Sequence, residues 1–158
     1  MTLEFQQKLL KEVSRTVSPD YIRGCSPQEL VDLEARLNLR LPDTYKQFLL
    51  TMGHQAGALF RGTDIFYRHL AGLRGMAEEL LREDETSFEL PDDAFVFAVH
   101  QGYQFMYFHT LSGTDDDPAI YHYEEGEGMP KKRWSSFSEF VLNSIADHER
   151  LLTRKAKD

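Results

Sequence analysis

The chain reads as an α+β fold, an antiparallel-rich central sheet flanked by N-terminal helices and a C-terminal helix. Three observations predict it. Helically spaced apolar stripes fill the first third of the sequence. Aromatic and β-branched runs cluster between Phe95 and Glu124. A final helical stripe follows Trp134. Strands gathered after helices argue α+β rather than alternating βα units. The 158 residues make one domain, with a core at about 19–147 and helical extensions at both ends.

The first helix is expected over about Leu3 to Thr16, where Leu3, Phe5, Leu9, Leu10 and Val13 form one stripe. Ser18-Pro19-Asp20 ends it. In "GCSPQELVDLEARLNLRLP", Ser26 is the N-cap, Pro27 the first helical residue and Glu29 the third, a capping box with a proline start. Leu30, Leu33 and Leu37 form the buried stripe, with Val31 and Ala35 beside it, and Asn38 stops the helix. Asp43 caps a third helix whose Tyr45, Phe48, Leu49 and Met52 share a face, with Gly53 as C-cap. "ALFRGTDIFY" holds one or two short strands around Arg61-Gly62. A fourth helix runs from about Leu70 to Arg82.

"FVFAVHQGYQFMYFHT" reads as a hairpin with its turn at Gln101-Gly102. That register sets Phe95 against Phe108, Val96 against Tyr107, Phe97 against Met106, Ala98 against Phe105, His100 against Tyr103 and His109 against Ala94. Both faces are apolar, which marks central strands covered on both sides. "AIYHYE" is a third strand. Ser135 or Ser136 caps a closing helix with Phe137, Phe140, Val141, Ser144, Ile145, His148 and Leu152 on one face.

Net charge is −8, and its placement is uneven: from Glu78 to Glu127 there are fourteen Asp or Glu and one Arg or Lys, Arg82. This argues against a phosphate-backbone binder, which needs clustered cations. It suits a basic protein partner, or serves solubility alone. Lys131-Lys132-Arg133 is too short a run to make a nucleic-acid face. No apolar run approaches the length of a membrane span, and "MTLEFQQKLLKEV" lacks a signal peptide's apolar region. The single cysteine, Cys25, makes no internal disulfide, so a reducing cytoplasmic location is expected.

From Gly24 to Gly53 the sequence follows S-P-x-E-L-x-x-L-E-x-x-L-x-L-x-L-P-x-x-Y-x-x-F-L-x-x-x-G. With the aromatic hairpin, the Tyr-rich strand ending in Glu-Glu and the closing "WSSFSEFVLNSI", this resembles the SUKH superfamily, which includes the yeast cell-wall-assembly regulator and many bacterial immunity proteins. The resemblance covers about Pro19 to Asp147. Where the family often has Asn-Gly-Gly after the third helix, this chain has Met-Gly-His-Gln-Ala-Gly at 52–57. The resemblance implies a non-enzymatic protein-binding module, an immunity protein that blocks a cognate toxin such as a nuclease. It brings no catalytic residue and no cofactor, and no binding residue carries over.

His100 and His109 sit at opposite ends of the hairpin, about 20–25 Å apart, and share no metal; His122 joins one of them at most. Asp115, Asp116 and Asp117 are consecutive, whereas a calcium loop alternates its carboxylates, so they read as a turn. Glu124, Glu125 and Glu127 sit beside two glycines and read as solvated rather than as an acid/base pair. Cys25 lies near a helix N-terminus, a place that lowers a thiol pKa, but no Cys-His signature surrounds it. No nucleophile elbow or phosphate loop is present. The surface assigned to a partner is Tyr103, Tyr121 and Tyr123 with Asp115, Asp116, Asp117, Glu124, Glu125 and Glu127. Tyrosine gives rigid contact area with a polar tip, and the acidic loops supply the field. Two readings stand beside this one: a regulatory adaptor binding a host protein, and a small enzyme using His100 with Cys25 or a carboxylate. A monomer is the default.

Overall fold

The structure, a computed structural model, describes residues 3–110 and 115–157. Five helices and seven strands follow one another as α1 (Glu4–Val13), β1 (Ile22–Arg23), α2 (Pro27–Leu37), α3 (Asp43–Met52), β2 (Gln55–Ala56), β3 (Thr63–Asp64), α4 (Leu70–Glu83), β4 (Ala94–His100), β5 (Gln104–His109), β6 (Ile120–Glu124), β7 (Lys131–Trp134) and α5 (Phe137–Lys157). Strands β3 to β7 form an antiparallel meander in chain order, and β1 pairs with β2 in a separate two-stranded ribbon. The α+β expectation holds.

Local chemistry sets most boundaries. Ser26 Oγ accepts the Glu29 N–H at 3.1 Å, and Glu29 Oε1 accepts the Ser26 N–H at 2.9 Å, so the predicted capping box is present. Asn38 ends α2 in the left-handed region, φ 52°, where asparagine is tolerated. Asp43 is the first residue of α3 rather than its cap, which is Pro42. Ser136 Oγ accepts the Glu139 N–H and so starts α5. Gly53 is the C-cap of α3 as expected, with φ −63° in the right-handed region. Its missing Cβ is needed for space, because a Cβ there would lie 2.5 Å from Cys25 Sγ and 2.6 Å from Leu49 O.

The hairpin matches the expected register from Ala94 to Val96 and departs from it further in. A bulge after Val96 sets Ala98 against Met106, Val99 against Phe105 and His100 against Gln104. Gln101 (φ 48°) and Gly102 (φ 80°) fill the turn, and the Tyr103 N–H donates to the His100 carbonyl at 3.1 Å. Two positive φ values in succession make the type I′ geometry that follows strand twist. Phe97 shares the face of Phe95 and Phe108, its ring centroid 5.5 Å from that of Phe108, and the extra residue shifts the pairing from Ala98 onward.

That face is the aromatic core. Tyr45 of α3 packs on Phe95, Phe97 and Phe108, and Phe137 of α5 packs on Tyr45, Phe48 and Phe97. Each large ring buried here contributes roughly 1.5–3 kcal/mol of transfer free energy. On the opposite face Phe105 stacks on Tyr123 and Tyr107 on Tyr121. The end of α4 covers Tyr123, whose hydroxyl donates to Asp84 Oδ2.

Four short or edge elements went unforeseen or differ. Strand β7 is a cationic edge, and β1 and β2 have two residues each. "ALFRGTDIFY" yields only Thr63–Asp64, paired with Val99 and His100. In α1 only Leu9 and Val13 of the stripe are buried, while Leu3 and Leu10 are exposed; in α2 Leu30 and Leu33 are buried, but Leu37 of the expected stripe is exposed, as is Val31. No helix among the described residues is long and apolar enough to cross a membrane.

Candidate functional site

The expected partner surface divides between the two ends of the sheet. At one end, the Tyr103 carbonyl accepts the Glu125 N–H at 2.9 Å, and Gln104 pairs with Glu124. This joins the β4–β5 tip to the β6–β7 turn. The end of α4 reaches the same place. Asp84 Oδ2 accepts the Gly126 N–H at 2.8 Å and the Tyr123 hydroxyl, and Thr86 Oγ1 donates to the Gly128 carbonyl. Those bonds hold the Asp84 carboxyl below the usual range, the Gly126 N–H first and the Tyr123 hydroxyl second. Burial and the facing Asp84 carboxylate push the Tyr123 phenol up to about 12.

The result is a cluster of six acidic residues: Glu83, Asp84, Glu85, Glu124, Glu125 and Glu127. Among the described residues none of the six forms an ion pair. Glu83, Glu85, Glu125 and Glu127 are exposed. Three of the six, Glu83, Asp84 and Glu85, lie at the C-terminus of α4, where the macrodipole is negative and acids are unfavourable. Glu83, Asp84 and Glu85 belong to the acidic run legible in the sequence. Nothing in the sequence placed them beside Glu124.

Asp115, Asp116 and Asp117 lie at the other end of β6. A five-residue strand spans about 16 Å, so the two acidic loops make no single patch. Asp117 serves structure. Its Oδ1 accepts the Ser138 N–H at 2.9 Å and the Thr44 hydroxyl at 3.0 Å, tying the starts of α5 and α3 together. Asp115 accepts the Asp117 N–H, and Asp116 faces Arg40 at 3.8 Å. These contacts bear out the turn reading of the triplet. Asp115 and Asp116 remain exposed.

The tyrosines differ among themselves. Tyr123 is fully buried and offers no area to a partner. Tyr103 is half-buried at the tip, with its ring 5.8 Å from that of His100. Tyr121 is half-buried between Tyr107 and His109. The acidic tip therefore carries Tyr103, while Tyr121 stands on the sheet face between the two loops.

The histidines are dispersed. His100 Nδ1 meets Thr63 Oγ1 at 2.8 Å, His109 Nδ1 lies 3.1 Å from both Asp93 oxygens, and His122 Nε2 meets Gln104 Oε1 at 2.8 Å. Cys25 is buried, and burial first and Glu29 second push its thiol up to about 12, away from a nucleophile's range. Its neighbours are Glu29 and His54, a grouping the sequence did not reveal.

A search of the curated proteins finds no significant match. Residues 24–143, well over half of the chain, match the SMI1 / KNR4 family (SUKH-1). The match begins at the glycine that opens the capping-box segment and ends within α5, so it takes in the whole five-stranded sheet. On that match the chain belongs to the SMI1 / KNR4 family (SUKH-1).

Proposed function

We propose that this chain is a protein-binding module of the immunity type, which neutralises a cognate toxin by laying its acidic end over the toxin's basic active or nucleic-acid groove. The observation that carries the reading is the un-neutralised cluster of Glu83, Asp84, Glu85, Glu124, Glu125 and Glu127, held together by the hydrogen bonds of Asp84. A fold that sets like charges together at a helix C-terminus loses some stability. A basic partner recovers it, since complementary potentials speed encounter and select partners. Tyr103 stands beside the carboxylates as rigid contact area, and Asp115, Asp116 and Tyr121 supply outlying contacts. No catalytic step is assigned to the protein, and it acts in the cytoplasm by occlusion.

The test is co-expression with the toxin encoded beside it, followed by isolation of the complex. Rescue of growth and a complex that weakens steeply with salt are expected. Absence of both rescue and complex rejects the immunity role. Capture of a host protein in place of the toxin would move the module to the regulatory reading.

A further inference from the structure

We propose that Cys25, Glu29 and His54 form a zinc site, with the thiolate, one carboxylate oxygen and imidazole Nε2 as three protein ligands and water as the fourth. This is independent of partner binding at the acidic end. Sγ of Cys25, a Glu29 oxygen and Nε2 of His54 all lie within 4.8 Å of one another. Nε2 is 2.9 Å from both Glu29 oxygens. Tetrahedral zinc with bonds of 2.0–2.3 Å holds its ligand atoms about 3.3–3.8 Å apart. Small side-chain rotations bring the three groups to that spacing.

The backbone presents the set. The Cys25 N–H donates to the Leu49 carbonyl at 2.8 Å, and the His54 N–H donates to the Arg23 carbonyl at 2.9 Å. Ribbon β1–β2 then pairs Arg23 with Gln55, so the residues flanking the cysteine and the histidine are locked side by side. Gly53 lets the thiol sit against the α3 terminus. Glu29 is fixed by the Ser26 cap, and the His54 ring rests edge-on to Tyr67 at 5.5 Å. Ligands preorganised on two clamped segments lose little freedom on binding metal.

Charge and softness select the ion. Thiolate, carboxylate and neutral imidazole carry −2 in total, so a divalent ion leaves the site neutral. Sulfur and nitrogen donors favour zinc over calcium and magnesium. The anionic ligands also stand at the N-terminus of α2, whose dipole favours them. On binding, the S–H bond breaks as the S–Zn bond forms, and the proton goes to solvent. In the metal-free site Nε2–H donates to Glu29; on binding that proton exchanges through solvent for one on Nδ1, so the neutral ring gives its Nε2 lone pair to the metal. Thiolate formation follows from the metal's charge, which overrides the effect of burial on the free thiol. Glu29 and His54 are each partly exposed, which leaves a path for the ion and the water.

The test uses the full, untagged chain under reducing conditions with zinc and cobalt as probes. Cys25 is the sole cysteine, so a thiolate-to-cobalt charge-transfer band reports this site alone. One equivalent of cobalt with that band, displaced by zinc, is expected. Cys25→Ser abolishes the band. His54→Ala and Glu29→Gln each lower zinc affinity at least about tenfold, the smallest loss expected when a metal's surroundings are altered. Glu29→Gln keeps an acceptor for the Ser26 N–H, and circular dichroism verifies folding of every variant. No band, or zinc affinity unchanged in His54→Ala, overturns the proposal.

Discussion

Gly24→Ala is expected to cost the fold about 3–5 kcal/mol. A Cβ at Gly24 would lie 1.7 Å from the Leu50 oxygen and 2.4 Å from the Leu50 carbonyl carbon. Both are backbone atoms of α3, so no side-chain rotation relieves the clash. The β1 segment must move off the helix instead. That motion breaks the Cys25 N–H bond to Leu49 O and strains the His54 N–H bond to Arg23 O. Two hydrogen bonds at about 1 kcal/mol each, with overpacking at about 1–3 kcal/mol, give the figure. For a chain of this length that loss lowers Tm by about 6–20 °C. Urea unfolding followed by the single tryptophan, half-buried Trp134, measures it. Gly72→Ala is the control: it lies within α4 with nothing within 4 Å of an added Cβ, and should gain about 0.5–1 kcal/mol. A loss below about 1 kcal/mol at Gly24 refutes the close packing of β1 on α3.

Three further outcomes follow from single contacts. Tyr45 is fully buried among five aromatic rings, and among the described residues its hydroxyl has no partner. Tyr45→Phe is expected to raise stability by about 1–2 kcal/mol, and a loss would show that the hydroxyl is bonded. Burial first and Arg133 second hold the His122 imidazole below the usual range. The unfolded chain takes up this proton near pH 6.5 and the folded chain only at lower pH, so stability declines as pH falls from about 6.5. His122→Gln should flatten that slope in urea midpoints taken at about pH 7 and about pH 5.5, and an unchanged slope counts against it. Replacing Glu124, Glu125 and Glu127 together by Lys is expected to slow association with a basic toxin at least tenfold, with little change in Tm. Unaltered association rates at low salt remove the acidic end from the interface.

Elements whose cause is local were legible in the sequence. The Ser26–Glu29 cap, the Asn38 stop, the Gln101-Gly102 turn and the stripes of α3 and α4 depend on residues within a few positions of one another. The aromatic hairpin was legible for the same reason, except at the bulge after Val96, which shifts the pairing of Ala98 to His100 by one residue and so breaks the two-residue alternation. Strand β7 hid because an edge strand needs no buried face, and lysines there discourage pairing with other chains. Ribbon β1–β2 hid because four residues hold no period.

The sequence by itself determined the fold class, the order of the main elements and the acidic character of the segment from Glu78 to Glu127. Only the tertiary structure decided which acids meet. It joined Glu83, Asp84 and Glu85 to Glu124, Glu125 and Glu127 through Asp84, took Asp117 and Tyr123 into structural roles, and set His54 against Cys25 and Glu29. The physical reason is separation along the chain. A cap or a turn is closed by near neighbours, whereas Asp84 finds Gly126, and Cys25 finds His54, only after helices and sheet have packed.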